Sequence, residues 1–209
     1  MDIFFFVLEI TGTAAFAVSG SLLALTKGMD LFGICIMGLV TACGGGVMRD
    51  LFLDQLPPAM FREPVYALTA IGVSLVMFLP FVRRLLSRGE KVYEAVLLIA
   101  DSLGLGIFTA AGVAAAINAG YGGNFFFAVF LGTVTGVGGG VMRDVLAGLP
   151  PYIFVKHIYA SASIAGAILC AALWHFTGQP WAMLACLVLV FVIRILAARY
   201  RWSLPKAKL

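Results

Sequence analysis

The chain has 209 residues, of which 62% are hydrophobic and only 11% carry a charge, with 24 glycines besides. A soluble domain averages about 45–50% apolar and about 25% charged residues, so a water-soluble globule is excluded. A disordered chain, which is poor in apolar residues and rich in charge, is excluded too. A mean hydropathy of +1.06 and a formal net charge of +4 leave an all-α integral membrane protein built as one compact unit.

A bilayer-crossing helix needs about 20 mostly apolar residues. Seven runs fit: 3–25, 31–53, 64–82, 95–117, 124–147, 155–176 and 180–199. The first follows Met1-Asp2 with no basic segment before it and is read as a retained helix, not a cleaved signal peptide. Turn or polar signals separate the runs: Thr26-Lys27-Gly28, Leu56-Pro57-Pro58, Arg83-Arg84, 118–123, Leu149-Pro150-Pro151 and Gly178-Gln179-Pro180. Phe4-Phe5-Phe6, Phe125-Phe126-Phe127, Trp181, Tyr200 and Trp202 sit near run ends, where aromatic rings anchor helices at the bilayer interface.

Seven crossings place Lys27, Arg83, Arg84, Arg88, Lys91, Lys156, Arg199, Arg201, Lys206 and Lys208 on one side and only Arg62 on the other. Arg49, Arg143 and Arg194 lie within or near spans and carry no weight in this comparison. Basic residues mark the cytoplasmic face. The expected topology is therefore a multi-pass cell (inner) membrane protein with the N-terminus outside and the C-terminus cytoplasmic. The net positive charge is an orientation signal, and no nucleic-acid partner is expected. Cys35, Cys43, Cys170 and Cys186 lie in apolar runs without CxxC spacing and read as packing residues. His157 and His175 are isolated, so no metal site is expected.

The dominant feature is a duplication. Gly44-Gly45-Gly46-Val47-Met48-Arg49-Asp50 recurs letter for letter as Gly138-Gly139-Gly140-Val141-Met142-Arg143-Asp144. Thr41 matches Thr135, Leu56-Pro57-Pro58 matches Leu149-Pro150-Pro151, and Tyr66 matches Tyr159. Upstream, Glu9, Gly12, Phe16 and Gly20 align with Asp101, Gly104, Phe108 and Gly112. Each copy holds three spans, an odd number, so the copies must cross in opposite directions. The chain divides into a first repeat with its basic loop (1–94), a second, inverted repeat (95–176), and a seventh span with a basic tail (177–209).

Three glycines in a row weaken a membrane helix, and broken helices at matched positions of two halves mark a permeation or substrate site. The second and fifth spans are therefore expected to kink at Gly44, Gly45, Gly46 and at Gly138, Gly139, Gly140. The competing reading is close helix packing, for which Gly132, Gly136 and Gly140 have the right spacing. Charges inside a bilayer are paired or functional. Depth counted at the helical rise pairs Glu9 with Arg49 towards the outer face and Asp101 with Arg143 towards the inner face. Asp50 and Asp144 add negative charge that favours cations. Purely structural bridges are the alternative. Ser19, Ser21, Thr41 and Thr135 are candidate pore hydroxyls.

Other chemistry is sparse. No phosphate-binding loop, zinc-protease motif or nucleotide-sized cytoplasmic domain is present, so neither an enzyme nor a nucleotide partner is expected. Thr133-Val134-Thr135-Gly136-Val137-Gly138 resembles a potassium-channel filter only loosely, since it lies inside a full-length span with no re-entrant pore helix. Asp54, Arg62 and Glu63 read as ordinary loop solvation.

Two G-G-G-V-x-R-D motifs in a 3+3+1 arrangement resemble the prokaryotic TRIC family, the trimeric intracellular cation channels, and the resemblance covers residues 3–200. Bacterial proteins of this sequence type are also described as glycine-transporter-like. The resemblance implies a homotrimer in which each subunit carries its own pore. That pore is lined by the first, second, fourth and fifth spans, constricted near the glycine triplets, and permeable to monovalent cations, with potassium the physiological candidate. It puts the six motif glycines beside the pore and Arg49, Asp50, Arg143 and Asp144 just beyond. The leading expectation is a potassium-permeable cation channel with no cofactor beyond a permeant K+ or Na+. The alternative is a secondary transporter of a small amino acid such as glycine, with Arg and Asp gripping carboxylate and ammonium. A structural or assembly protein is a third class.

Overall fold

A computed structural model describes residues 3–86, 89–155 and 158–202. Arg88, Lys156, Lys206 and Lys208 from the orientation count, and His157, lie outside the described residues. Among the described residues ten α-helices follow one another: α1 (Ile3–Thr26), α2 (Leu31–Phe52), α3 (Ala59–Arg62), α4 (Val65–Phe78), α5 (Pro80–Leu86), α6 (Glu90–Ala116), α7 (Phe125–Leu146), α8 (Tyr152–Val155), α9 (Ala160–Thr177) and α10 (Gln179–Tyr200). A π-helical turn, Ile117–Tyr121, extends α6.

Among the described residues six helices are long and apolar enough to cross a membrane: α1, α2, α6 with its extension, α7, α9 and α10. The expected third span, 64–82, is instead the 14-residue helix α4 followed by α5. Pro80 is the reason. A residue before proline is pushed out of the α region, and Leu79 has φ −57 and ψ 138. Helix α9 starts at Ala160, later than the expected 155, because the short helix α8 occupies the approach. Helix α6 begins at Glu90, earlier than the expected 95.

The helix starts of the two motif-bearing elements are capped alike. Asp30 Oδ1 accepts from Gly33 N at 2.7 Å, and Asn124 Oδ1 accepts from Phe127 N at 3.0 Å. Their ends are alike too, turning through the left-handed region at Asp54 (φ 54) and Gly148 (φ 67).

Helices α1, α2 and α4 pack on one another, and so do α6, α7 and α9. The two groups meet through α1 against α6 and α2 against α7, while α10 lies on α6 and α9. The α1–α6 contact is reciprocal. Phe16 and Phe108 stack with ring centroids 5.4 Å apart. A Cβ on Gly104 would strike Phe16, and one on Gly12 would strike Ile107 and Phe108. Matched positions thus face each other, as an isologous contact requires. Large apolar side chains such as Phe32, Leu68, Phe81, Phe126 and Trp181 remain exposed on the outer faces.

Candidate functional site

The duplicated Arg-Asp pair builds the same connection twice. In the first copy, Asp50 takes Arg49 Nε on Oδ1 at 2.8 Å and the Ala59 backbone N–H, the first of α3, on Oδ2 at 2.6 Å. In the second, Asp144 takes Arg143 Nε at 2.9 Å and the Tyr152 N–H, the first of α8, at 2.8 Å. Each aspartate is buried, and each fixes an arginine rotamer while satisfying an open helix start.

Each arginine reaches on to the carboxylate of the first helix in its repeat. Arg49 Nη1 lies 3.6 Å from Glu9 Oε1, and Tyr66 Oη donates to Glu9 Oε2 at 2.5 Å. Arg143 Nη1 lies 2.7 Å from Asp101 Oδ1 and also donates to Ser19 Oγ at 2.5 Å. Ser19 Oγ in turn is 3.4 Å from Asp101 Oδ1, and Tyr159 Oη is 3.5 Å from the same oxygen. The structure thus brings Glu9 to Arg49 and Asp101 to Arg143.

The two clusters differ in tightness. Arg143 and Asp101 are each 1% exposed, against 11% and 18% for Arg49 and Glu9. Position 19 explains part of this. The counterpart of Ser19 in the second repeat is Ala111, which offers Arg49 no acceptor. Arg194 of α10 adds a second guanidinium beside Asp101. Its Nη2 is 3.5 Å from Asp101 Oδ2, and its guanidinium sits 4.7 Å above the Tyr159 ring. Arg143 lies likewise 5.0 Å above Tyr152.

The glycine triplets hold α2 against α7 without interrupting either helix, which stays α-helical from Leu31 to Phe52 and from Phe125 to Leu146. The expected kink does not take the form of a break in either helix, and the glycines serve close packing. A Cβ on Gly45 would run into the Thr135 carbonyl, and one on Gly139 into the Thr41 carbonyl. Gly44 faces Met142 Sδ at 2.7 Å and Gly138 faces Met48 Sδ at 2.8 Å, measured from the same ideal Cβ position. Only a missing side chain lets the backbones approach this closely. Gly46 is different: the nearest group is Arg49 Nη2 at 4.0 Å, and Gly46 lines a small cavity. A Cβ on Gly140 would come within 2.9 Å of Tyr159 Oη.

The four candidate hydroxyls are buried and engaged. Thr41 donates to Met37 O and Thr135 to Leu131 O, each at 2.6 Å within its own helix. Ser21 donates to Ser74 at 2.9 Å, and Ser19 joins the Arg143 cluster as described. Sequence reasoning missed Tyr66, Tyr159 and Arg194 as partners of the carboxylates. The tyrosines were detectable as polar aromatics matched across the repeat; Arg194 has no counterpart to draw attention to it.

Cavities approach both clusters. One of about 290 Å³ is lined by Glu9, Arg49, Gln55, Glu63, Tyr66 and Asn118 among others. A narrow one of about 40 Å³ continues past Glu9 and Arg49 to Thr13, Cys43 and Gly46. A third, of about 240 Å³, leads past Glu94 and Leu97 to Asp101, Tyr152 and Arg194. Leu97 and Asp101 are the repeat equivalents of Phe5 and Glu9, so corresponding faces of the two repeats border open volume.

Comparison with known proteins follows this geometry. A family model described as "Glycine transporter" matches residues 6–81 and 98–175, each segment holding one copy of the duplicated motif and neither reaching α10. The UPF0126 inner membrane protein YadS of Escherichia coli (strain K12) is 38% identical over 200 residues, covering 95% of this chain and 93% of YadS. A prokaryotic TRIC channel solved in 0.5 M KCl superposes with a TM-score of 0.88 at 28% identity, covering 98% of this chain and 100% of the other. The TRIC trimeric intracellular cation channel orthologue from Rhodobacter sphaeroides gives a TM-score of 0.85 at 31% identity over 94% and 98% of the two chains. With these relatives and its long apolar helices, the chain is a multi-pass membrane protein, and it belongs to the TRIC family.

Proposed function

We propose that the protein is a monovalent cation channel, potassium-permeable, with one pore per subunit running between the two glycine-bearing helices. The observation that carries this reading is the repeated arrangement of cavity, carboxylate and arginine on either side of the α2–α7 contact. The topology is N-terminus outside and C-terminus cytoplasmic, with seven crossings in which α4 and α5 together supply the third. The two three-helix repeats are inverted relative to each other, and α10 stands outside them. The Rhodobacter sphaeroides orthologue it superposes on is described as a trimeric intracellular cation channel, which supports a homotrimer surrounded by lipid.

Cations enter the wider cavity past Glu63 and meet Glu9, whose carboxylate outlasts its long ion pair with Arg49 as a partner for a passing ion. Net negative charge in a low-dielectric funnel concentrates cations and repels anions. Weak, exchangeable oxygen ligands then let the ion leave again. The tight α2–α7 contact at Gly45 and Gly139 is the constriction, and separating these helices opens the route. A permeant K+ or Na+ is the cargo, and no cofactor takes part. Carriage of glycine is the weaker reading, since the arginines already hold protein carboxylates and are not available to a substrate's.

The test is ion release from proteoliposomes loaded with potassium chloride. Faster potassium than chloride release, reduced at least severalfold by Glu9→Gln, supports the reading. Equal release of both ions, or glycine exchange with no potassium release, contradicts it.

A further inference from the structure

We propose that Arg194, on the helix that stands outside the duplication, sets the electrical difference between the two ends of the pathway and so makes conduction directional. The inference rests on the channel reading above and adds the residue that determines its asymmetry.

The repeat on its own builds two equal ends. Each has a carboxylate on its first helix and an arginine-aspartate pair on its second, two negative charges against one positive. The cluster of Glu9, Arg49 and Asp50 keeps that balance of −1. The cluster of Asp101, Arg143 and Asp144 receives a second guanidinium and becomes neutral. The added cation comes from α10, which packs on α6 and α9 and has no counterpart against α1 and α4 among the described residues. Arg194 is held in place: its side chain is 6% exposed, Nη2 is 3.5 Å from Asp101 Oδ2, and the guanidinium covers the Tyr159 ring. It borders the same cavity as Asp101 and Glu94, so its charge faces the volume an ion would use.

In a cleft walled by apolar helices a unit charge a few ångströms from the path changes local ion occupancy strongly. The cavity at Glu9 therefore holds more cations than the cavity at Asp101. At low ionic strength, where bulk salt does not mask the difference, current entering from the Glu9 side exceeds current entering from the Asp101 side.

The experiment is single-channel recording in symmetrical low-ionic-strength potassium chloride, with orientation fixed by one-sided vesicle fusion. Its readout is the ratio of currents at equal and opposite potentials. Wild type is expected to pass the larger current from the Glu9 side. Arg194→Gln, which restores −1 at Asp101, raises the opposite current by roughly threefold to tenfold and brings the ratio towards one. Arg194→Lys keeps the wild-type ratio, and Asp101→Asn with Arg194→Gln, again neutral, restores it. Should Arg194→Gln not fold, Asp101→Asn alone, at +1, is expected to steepen the ratio beyond wild type. A ratio unmoved by Arg194→Gln, or moved as much by Arg194→Lys, overturns the proposal while leaving the channel standing. Absence of any cation current in folded wild type overturns both.

Discussion

Alanine substitution within one glycine triplet separates packing from bending. Gly45→Ala places a Cβ against the Thr135 backbone carbonyl of α7, an atom that cannot rotate away. Helices α2 and α7 must move apart by a substantial part of a methyl radius, and overpacking of this kind costs about 1–3 kcal/mol. For a chain of this size, 2 kcal/mol corresponds to roughly 4–8 °C in Tm. Gly46→Ala, one residue on, meets nothing closer than Arg49 Nη2 at 4.0 Å. It gains helix propensity of up to about 1 kcal/mol and is expected to be neutral or slightly stabilising. The assay is thermal unfolding of detergent-solubilised protein, read as loss of the monodisperse size-exclusion peak, for both variants and for Gly139→Ala. Gly139→Ala should behave like Gly45→Ala, because it meets the Thr41 carbonyl in the reciprocal contact. Equal effects of Gly45→Ala and Gly46→Ala would refute the packing account and favour a required bend across the whole triplet.

Removing one partner of a buried ion pair leaves a charge stranded and costs about 3–5 kcal/mol. Asp101→Asn is therefore expected to lower thermal stability clearly more than Glu9→Gln, whose pair is longer and partly exposed. Asp144→Asn weakens both the Arg143 bridge and the acceptor for Tyr152 N, and hydrogen exchange at the start of α8 should quicken, as it should at Ala59 in Asp50→Asn. Ser19→Ala removes one acceptor from Arg143 and should cost about 1 kcal/mol in the same melting assay.

Much of this fold was legible because two signals are local. The α2 and α7 boundaries lie within one residue of the expected 31–53 and 124–147, because turn residues act within a few residues of each helix end; the Asp30 and Asn124 caps are visible only in the structure. The expected third span, 64–82, is divided at Leu79–Pro80 into α4 and α5, because hydropathy does not register the backbone break that a proline imposes. The glycine triplets lie where α2 and α7 touch. Glycine weakens an isolated helix, yet the reciprocal contact with the Thr41 and Thr135 carbonyls gives it a packing use that propensity alone does not reveal. The duplication located Glu9, Arg49, Asp101 and Arg143 because matched charges in matched spans are rare. It was silent on Arg194, which enters from a helix without a copy, and on the tyrosines, whose role depends on which way the rings point.

The central claim is that ions pass through without being carried. Purified wild-type protein in a planar bilayer, with potassium chloride on both sides and no gradient of any solute, should show unitary current steps under applied voltage. In a salt gradient their reversal potential should lie close to the potassium equilibrium value. Saturable glycine counterflow with no current steps would contradict the account.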